Sequence, residues 1–398
     1  MLKKNVPVGQ LRYGMYVAEL DRPWTDTPFV FQGFVLQTEE ELEILKSLCK
    51  WVLVDEALSE PHRQHALKPL VAPRNAPRYQ VQVAVEREVE RATLAHGGTL
   101  SALHDALKAV RANQTLDAGS VAQAVDAMTE SVLRNPDALM LLSRLREKGD
   151  YAHSHALDTA IYMACFGRFL ELSVADIALL GYLGLMQDIG KLRVPDEILR
   201  KEERLTPSEV EQARRHVRHS ADILNATPDV PPRLAELALL HHERHDGSGY
   251  PSGLKGAQIG MIGSIAAIAD TFDALTSPRP YAHAVSPSAA LSMLYKWRGT
   301  FFDASLVEQF IRCIGIFPLG CVVELNSGEL GIVIGQHSER RLQPRVMIVR
   351  DAAGNPLKPQ KLLDLSRGHK LATGEVYRIK RTLEYGKAGI SAEALFKA

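Results

Sequence analysis

Apolar residues recur with helical spacing from Gln80 onward, and this pattern predicts helices over Val81–Ala95, Leu100–Ala112, Ser120–Leu133 and Pro136–Lys148. Gly97-Gly98 between the first two reads as a break. Helical periodicity continues through Leu157–Leu172 and Val174–Gln187, with Asp117 and Ser173 as N-cap candidates. Ahead of this run, Met15–Leu20, Pro28–Leu36 and Trp51–Val54 are short β-branched or aromatic stretches around one helical segment, Glu39–Cys49. From Cys321 the texture changes to CVVELN, GIVIGQ and RVMIVRD, separated by Asn-Ser-Gly and Ala-Gly-Asn, which are hairpin signals. The pattern predicts a mainly α protein with a small N-terminal α/β module and a small C-terminal antiparallel β module. The boundaries fall at 1–65 for the first module and 66–145 for a proline-punctuated linker and helical bridge. A central helical domain follows over 146–316, and the β module over 317–398.

Composition narrows the function. The 398 residues are 46% hydrophobic and 24% charged, enough apolar content to bury a sizeable core, and Lys+Arg equals Asp+Glu at 47. A general nucleic-acid or membrane-surface protein carries a basic excess, so no DNA, RNA or membrane partner is expected, although local basic pockets remain open. The most apolar window, Ala178–Met186, is about half the length of a membrane helix. No apolar h-region follows Lys3 and Lys4. Cys49, Cys165, Cys313 and Cys321 form no CxxC pair, which fits a reducing compartment. A cytoplasmic location is the expectation.

Seven of the fourteen histidines fall between His153 and His245, far more than even spacing would place there. They are His153, His155, His216, His219, His241, His242 and His245, accompanied by Asp188, Asp246, Asp270 and Asp273. Isolated histidines such as His62, His96, His104, His337 and His369 read as ordinary surface or core residues. The cluster is different, because imidazole nitrogen with carboxylate oxygen is the donor set for Zn, Fe, Mn or Ni. Two such ions bridged by a carboxylate can clamp a phosphoryl group.

The order HSHALDTA (His153–Ala160), LMQDIGKLRVPDEIL (Leu185–Leu199), ERLTPSEVEQARRHVRHSADIL (Glu203–Leu224), LLHHERHDGSGYPSGLKG (Leu239–Gly256) and IAAIADTFDALTSPRPY (Ile265–Tyr281) resembles the HD-GYP family. This is a branch of the HD-domain metal-dependent phosphohydrolases, and the resemblance spans roughly residues 145–315. The segment GMYVAELDRPWTDTPFVFQGF also looks like a domain of unknown function often found ahead of HD-GYP domains. The resemblance implies a helical HD-domain bundle holding two divalent ions and hydrolysing the bacterial second messenger cyclic di-GMP to pGpG, GMP or both. It implies His155, Asp188, His216, His241, His242 and Asp270 as metal ligands, with Asp188 bridging and catalytic. It also implies Lys191 on the substrate phosphate, Gly249, Tyr250 and Pro251 as the substrate-pocket loop, and Arg279 facing phosphate. Lys191 lies three residues after Asp188, so one helical turn puts the two on one face.

Three positions depart from the family pattern. Gln187 replaces the histidine of the HD pair, and an amide is a weak donor to a transition metal, so the first metal site is weakened. Tyr151 stands where members with a third metal carry glutamate, and Ala282 where many carry a second basic residue. Three readings follow. One is a cyclic di-GMP phosphodiesterase of reduced activity, and another is a degenerate module that binds cyclic di-GMP or a signalling protein without turnover. The last is a hydrolase of another nucleotide. The helices before His153 offer a homodimer seam, although packing within the chain is the commoner fate of such faces.

Overall fold

The computed structural model describes residues 3–22, 34–36, 39–56, 59, 79–145, 151–201, 203–277, 284–337, 340 and 342–383. At the N-terminus β1 (Lys3–Pro7), β2 (Tyr16–Leu20), β3 (Phe34–Val35) and β4 (Trp51–Asp55) form an antiparallel sheet of order β1-β4-β2-β3. Val52 and Val54 alternate into a small separate core. Leu45 of helix α1 (Glu39–Leu48), with Val6, Val17 and Leu36, completes that core. The strand β1 carries one buried residue, Val6, and so has no alternation from which it could be predicted.

A long helix, α2 (Val85–Arg111), follows, then α3 (Ala118–Arg134) and α4 (Pro136–Leu145). The expected break at Gly97-Gly98 does not occur: α2 runs straight through both glycines. Two interior glycines cost about 1 kcal/mol each relative to alanine. Packing overrides that cost, because Ala95, Thr99, Ala102, Leu103 and Ala106 are buried. The Thr99 hydroxyl also donates to Ala95 O at 2.8 Å, across the glycine pair. Glu88 and Arg134 lock α2 to α3 through bonds of 2.9–3.1 Å, with the Ser131 hydroxyl donating to the same carboxylate. The Asp117 and Ser173 caps form as expected, accepting from Ser120 N and Asp176 N.

Helices α5 (Tyr151–Phe169), α6 (Val174–Met186), α7 (Asp196–Leu199), α8 (Pro207–Arg214), α9 (His216–Asn225), α10 (Leu234–Ala238), α11 (Gly260–Thr276), α12 (Pro287–Trp297) and α13 (Ala304–Ile314) complete the helical part. Its centre is α6, whose final turns are buried nearly all round, from Leu180 to Met186. Gly184 allows that close approach, since a Cβ there would run into the Ala160 backbone of α5. Gly190 does the same in the 3-10 turn Ile189–Arg193, where a Cβ would collide with the backbone of His216 and Ser220. These two contacts set α5, α6 and α9 around one point.

The C-terminal strands β5 (Val322–Leu325), β6 (Leu330–Gly335), β7 (Arg345–Arg350), β8 (Pro356–Asp364) and β9 (Ile379–Leu383) form an antiparallel sheet of order β8-β7-β6-β5-β9. Its apolar face belongs to the same hydrophobic cluster as the helices. A bond of 3.1 Å from Gln336 N to the Asp137 carboxylate ties β6 to α4. The three runs expected after Cys321 correspond to β5–β7. The strand β8 is mostly exposed, and its hydrophobic signal is correspondingly weak. Among the described residues no helix is long and apolar enough to cross a membrane.

Candidate metal centre

Asp188 lies two residues past the end of α6 and immediately precedes the Ile189–Arg193 turn, so its carboxylate lies where α5, α9, α10 and α11 converge. His155 comes from the first half of α5 and His216 is the first residue of α9. His241 and His242 follow α10, and Asp270 lies on α11. Their donor atoms form two groups sharing Asp188: one with His216, His241 and His242, the other with His155 and Asp270.

In the first group each ring's orientation fixes where its proton sits. His216 Nδ1 lies 2.6 Å from Ala213 O and His241 Nδ1 lies 2.8 Å from Ala238 O. A carbonyl oxygen only accepts, so Nδ1 carries a proton in both rings, and in the neutral imidazole Nε2 then presents its lone pair. Those lone pairs face Asp188 Oδ1 at 3.3 and 3.5 Å. All three atoms are buried with no hydrogen-bond partner. Lone pairs converging on an anionic oxygen repel unless a cation lies among them. The His242 ring stacks 4.1 Å from His241, and burial with that neighbour pushes its pKa well down, so it too is a neutral donor. This donor set fits a divalent metal ion.

The other group is built differently. His155 Nδ1 is 2.7 Å from Asp273 Oδ2, while its Nε2 lies 3.1 Å from Asp270 Oδ1 and 3.5 Å from Asp188 Oδ2. Burial opposes charge on this imidazole, yet its bonds to Asp188, Asp270 and Asp273 hold its pKa well above the ordinary value. Burial likewise opposes ionisation of Asp188, but the Lys191 ammonium and the bond from His155 hold that carboxyl well below the usual range. Gln187, 1% exposed, points its amide nitrogen at Asp270 Oδ1 at 3.4 Å and leaves Oε1 buried without a partner.

Lys191 lies in the 3-10 turn, and its Nζ reaches Asp188 Oδ2 at 2.5 Å. Gly249, Tyr250 and Pro251 lie in a loop joined by a cis Tyr250–Pro251 peptide. Tyr250 places its ring 4.7 Å from that of His242, and Gly249 packs on the backbone of Glu243 and Arg244 with no room for a Cβ. Arg279 and Ala282 lie outside the described residues, as does the Tyr151 side chain. The structure keeps other clustered histidines apart from these groups: His153 rests against His104, and His245 N donates to Phe301 O.

Two residues here had no assigned role in the sequence reading. Asp273 orients His155 through the bond given above. Glu243, 1% exposed, accepts from Ser252 N at 2.7 Å and Leu254 N at 2.9 Å, and so fixes the loop after Tyr250. Spacing could have found Asp273, which lies three residues after Asp270 on one helical face. Glu243 gave the signal of an acid inside a histidine run, with nothing to say that it faces backbone amides.

Residues 138–306 match the HD domain, residues 3–121 a domain of unknown function (DUF3391), and residues 322–377 a KOW domain associated with HD domain. The chain is 35% identical over 370 residues to Cyclic di-GMP phosphodiesterase PA4108 of Pseudomonas aeruginosa, covering 92% of this chain and 89% of that protein. It is 37% identical over 188 residues to Cyclic di-GMP phosphodiesterase response regulator RpfG of Xanthomonas campestris pv. campestris, covering 47% and 50%. It is also 34% identical over 171 residues to 3'3'-cGAMP-specific phosphodiesterase 2 of Vibrio cholerae, covering 43% and 32%.

Proposed function

The chain belongs to the HD-GYP family of cyclic di-GMP phosphodiesterases, and from that premise we propose that it hydrolyses cyclic di-GMP to pGpG, GMP or both, at a rate lowered by Gln187. The observation that carries this reading is the convergence of the His216 and His241 lone pairs on Asp188 Oδ1. Asp188, His216, His241 and His242 would hold one divalent ion, and His155, Asp188 and Asp270 a second, weaker one. When bound, such ions make a hydroxide available at neutral pH and neutralise charge on the phosphoryl oxygens.

The chain's own groups do the positioning. Lys191, half-buried beside Asp188, is set to exchange part of its contact with that carboxylate for a phosphate oxygen. Asp273 keeps His155 turned so that Nε2 faces Asp270 and Asp188. Glu243 holds the loop that presents the Tyr250 ring beside His242, walling the site on one side. The modules over 1–65 and 317–398, flanking the bridge at 66–145 and the catalytic part at 146–316, serve as sensing or docking surfaces.

A binding module without turnover is the second reading. It is favoured by Gln187, which turns an N–H rather than a lone pair toward Asp270. Elemental analysis of anaerobically purified protein, run beside a hydrolysis assay with Mn²⁺ or Fe²⁺, separates the two. Appearance of pGpG or GMP supports the enzyme. Bound but intact nucleotide supports the module, and neither binding nor turnover refutes both.

A further inference from the structure

Arg214 is the last residue of α8, two positions before His216. That helix is braced at its start by the Thr206–Glu209 capping box and by Lys201, whose Nζ bonds both Glu209 oxygens at 2.7 and 2.8 Å. The Arg214 guanidinium lies over the Tyr250 ring, 4.8 Å from its centroid. On the metal-centre side the same ring is 4.7 Å from His242, tilted by 31°. The Tyr250 ring thus meets both a candidate metal ligand and an arginine, and the arginine is the more exposed of the two.

The guanidinium is also available. The Arg214 side chain is 46% exposed, and its carboxylate partner, Glu211 at 3.2 Å, is 69% exposed. A surface pair three residues apart on a helix is weak, so an anion offering bidentate geometry displaces it readily. The aromatic ring beneath holds the guanidinium plane in place beforehand.

We infer that Arg214 is a substrate-binding residue that clamps the phosphodiester of the cyclic dinucleotide that is not being cut. This rests on the phosphodiesterase reading above. A cyclic dinucleotide carries two phosphodiesters. With one at the metal centre beside Lys191, the other lies outward, where Arg214 supplies the charge. Two cations at different depths select a two-phosphate substrate over one with a single phosphodiester.

The test measures the affinity of metal-loaded, full-length protein for a hydrolysis-resistant phosphorothioate analogue of cyclic di-GMP, using calorimetry on the wild type, R214A and R214K. R214A is expected to weaken binding by at least about tenfold, the loss typical of a charge-assisted hydrogen bond. R214K, keeping charge without the planar fork, should recover only part of that loss. With hydrolysable cyclic di-GMP, R214A should raise KM far more than it lowers kcat, and its metal content and Tm should match the wild type. An R214A affinity within twofold of wild type overturns the inference, and so does a loss of metal in R214A, which would mean the residue acts by positioning His216. A wild type that neither binds nor cleaves cyclic di-GMP refutes the substrate reading itself, and the inference falls with it.

Discussion

Replacing Gln187 with histidine tests the asymmetry of the metal centre most directly. In the native chain the amide is buried, donates weakly to Asp270 Oδ1 at 3.4 Å and strands its own Oε1. The group of His155, Asp188 and Asp270 therefore has one imidazole where an added histidine would make two. Changes behind a metal ligand already cost about 10–100-fold in affinity. Adding a whole imidazole donor should gain at least that, or about 1.4–2.8 kcal/mol. The expected outcome is that wild-type protein dialysed against a metal buffer retains roughly one ion per chain, and Q187H roughly two. Stepwise titration should place the extra ion in a weaker class of site in the wild type. Turnover of cyclic di-GMP should rise in the variant. If the wild type already holds two ions with the affinities found in Q187H, Gln187 is no impediment and the reasoning fails.

Other outcomes follow from single contacts. Glu243→Ala strands the amides of Ser252 and Leu254, at about 1–3 kcal/mol for each buried donor; thermal denaturation should show the loss, and KM should rise because the Tyr250 loop is no longer held. Gly190→Ala forces a Cβ into the backbone of α9, so a loss of about 1–3 kcal/mol in urea denaturation should come with weaker metal binding through displaced His216. Burial raises the thiol of Cys49 to about 11 and that of Cys321 to about 12, and drives Cys165 well above its ordinary value. A thiol reagent at pH 8 should therefore label no more than Cys313 in the native chain and all four cysteines in guanidinium; fast native labelling of a second cysteine would contradict the packing.

Much of this architecture was legible because it rests on periodicity and on residue types with narrow uses. The helices over Ser120–Leu133 and Val174–Gln187 announced themselves by an apolar stripe or run and a capping residue, and both caps form. The Gly97-Gly98 pair misled because helix propensity is a local quantity, whereas the face bearing Ala95, Thr99 and Ala102 is buried by residues far along the chain. The strands β1 and β8 escaped notice because neither has a regularly alternating buried face, and alternation is what marks a strand.

The two halves of the metal centre differ in how much a sequence can reveal, and the reason is what orients each ligand. His216 and His241 are aimed by the carbonyls of Ala213 and Ala238, three residues back. Every residue type has that carbonyl, so only the histidines themselves are visible in the sequence. What suits the half to a cation is the convergence of two Nε2 atoms and Asp188 Oδ1, buried and without hydrogen-bond partners, which appears only in three dimensions. His155 is aimed instead by a side chain, Asp273, and its group is altered by another, Gln187. Both can be read from the sequence, but their consequence depends on direction. An amide can turn either end toward Asp270, and here the end that donates faces the carboxylate while the end that could ligate is left over. A group completed by a proton donor competes with metal for the same carboxylate oxygen, so the weaker ion binding proposed for this half would follow from geometry as well as from ligand chemistry.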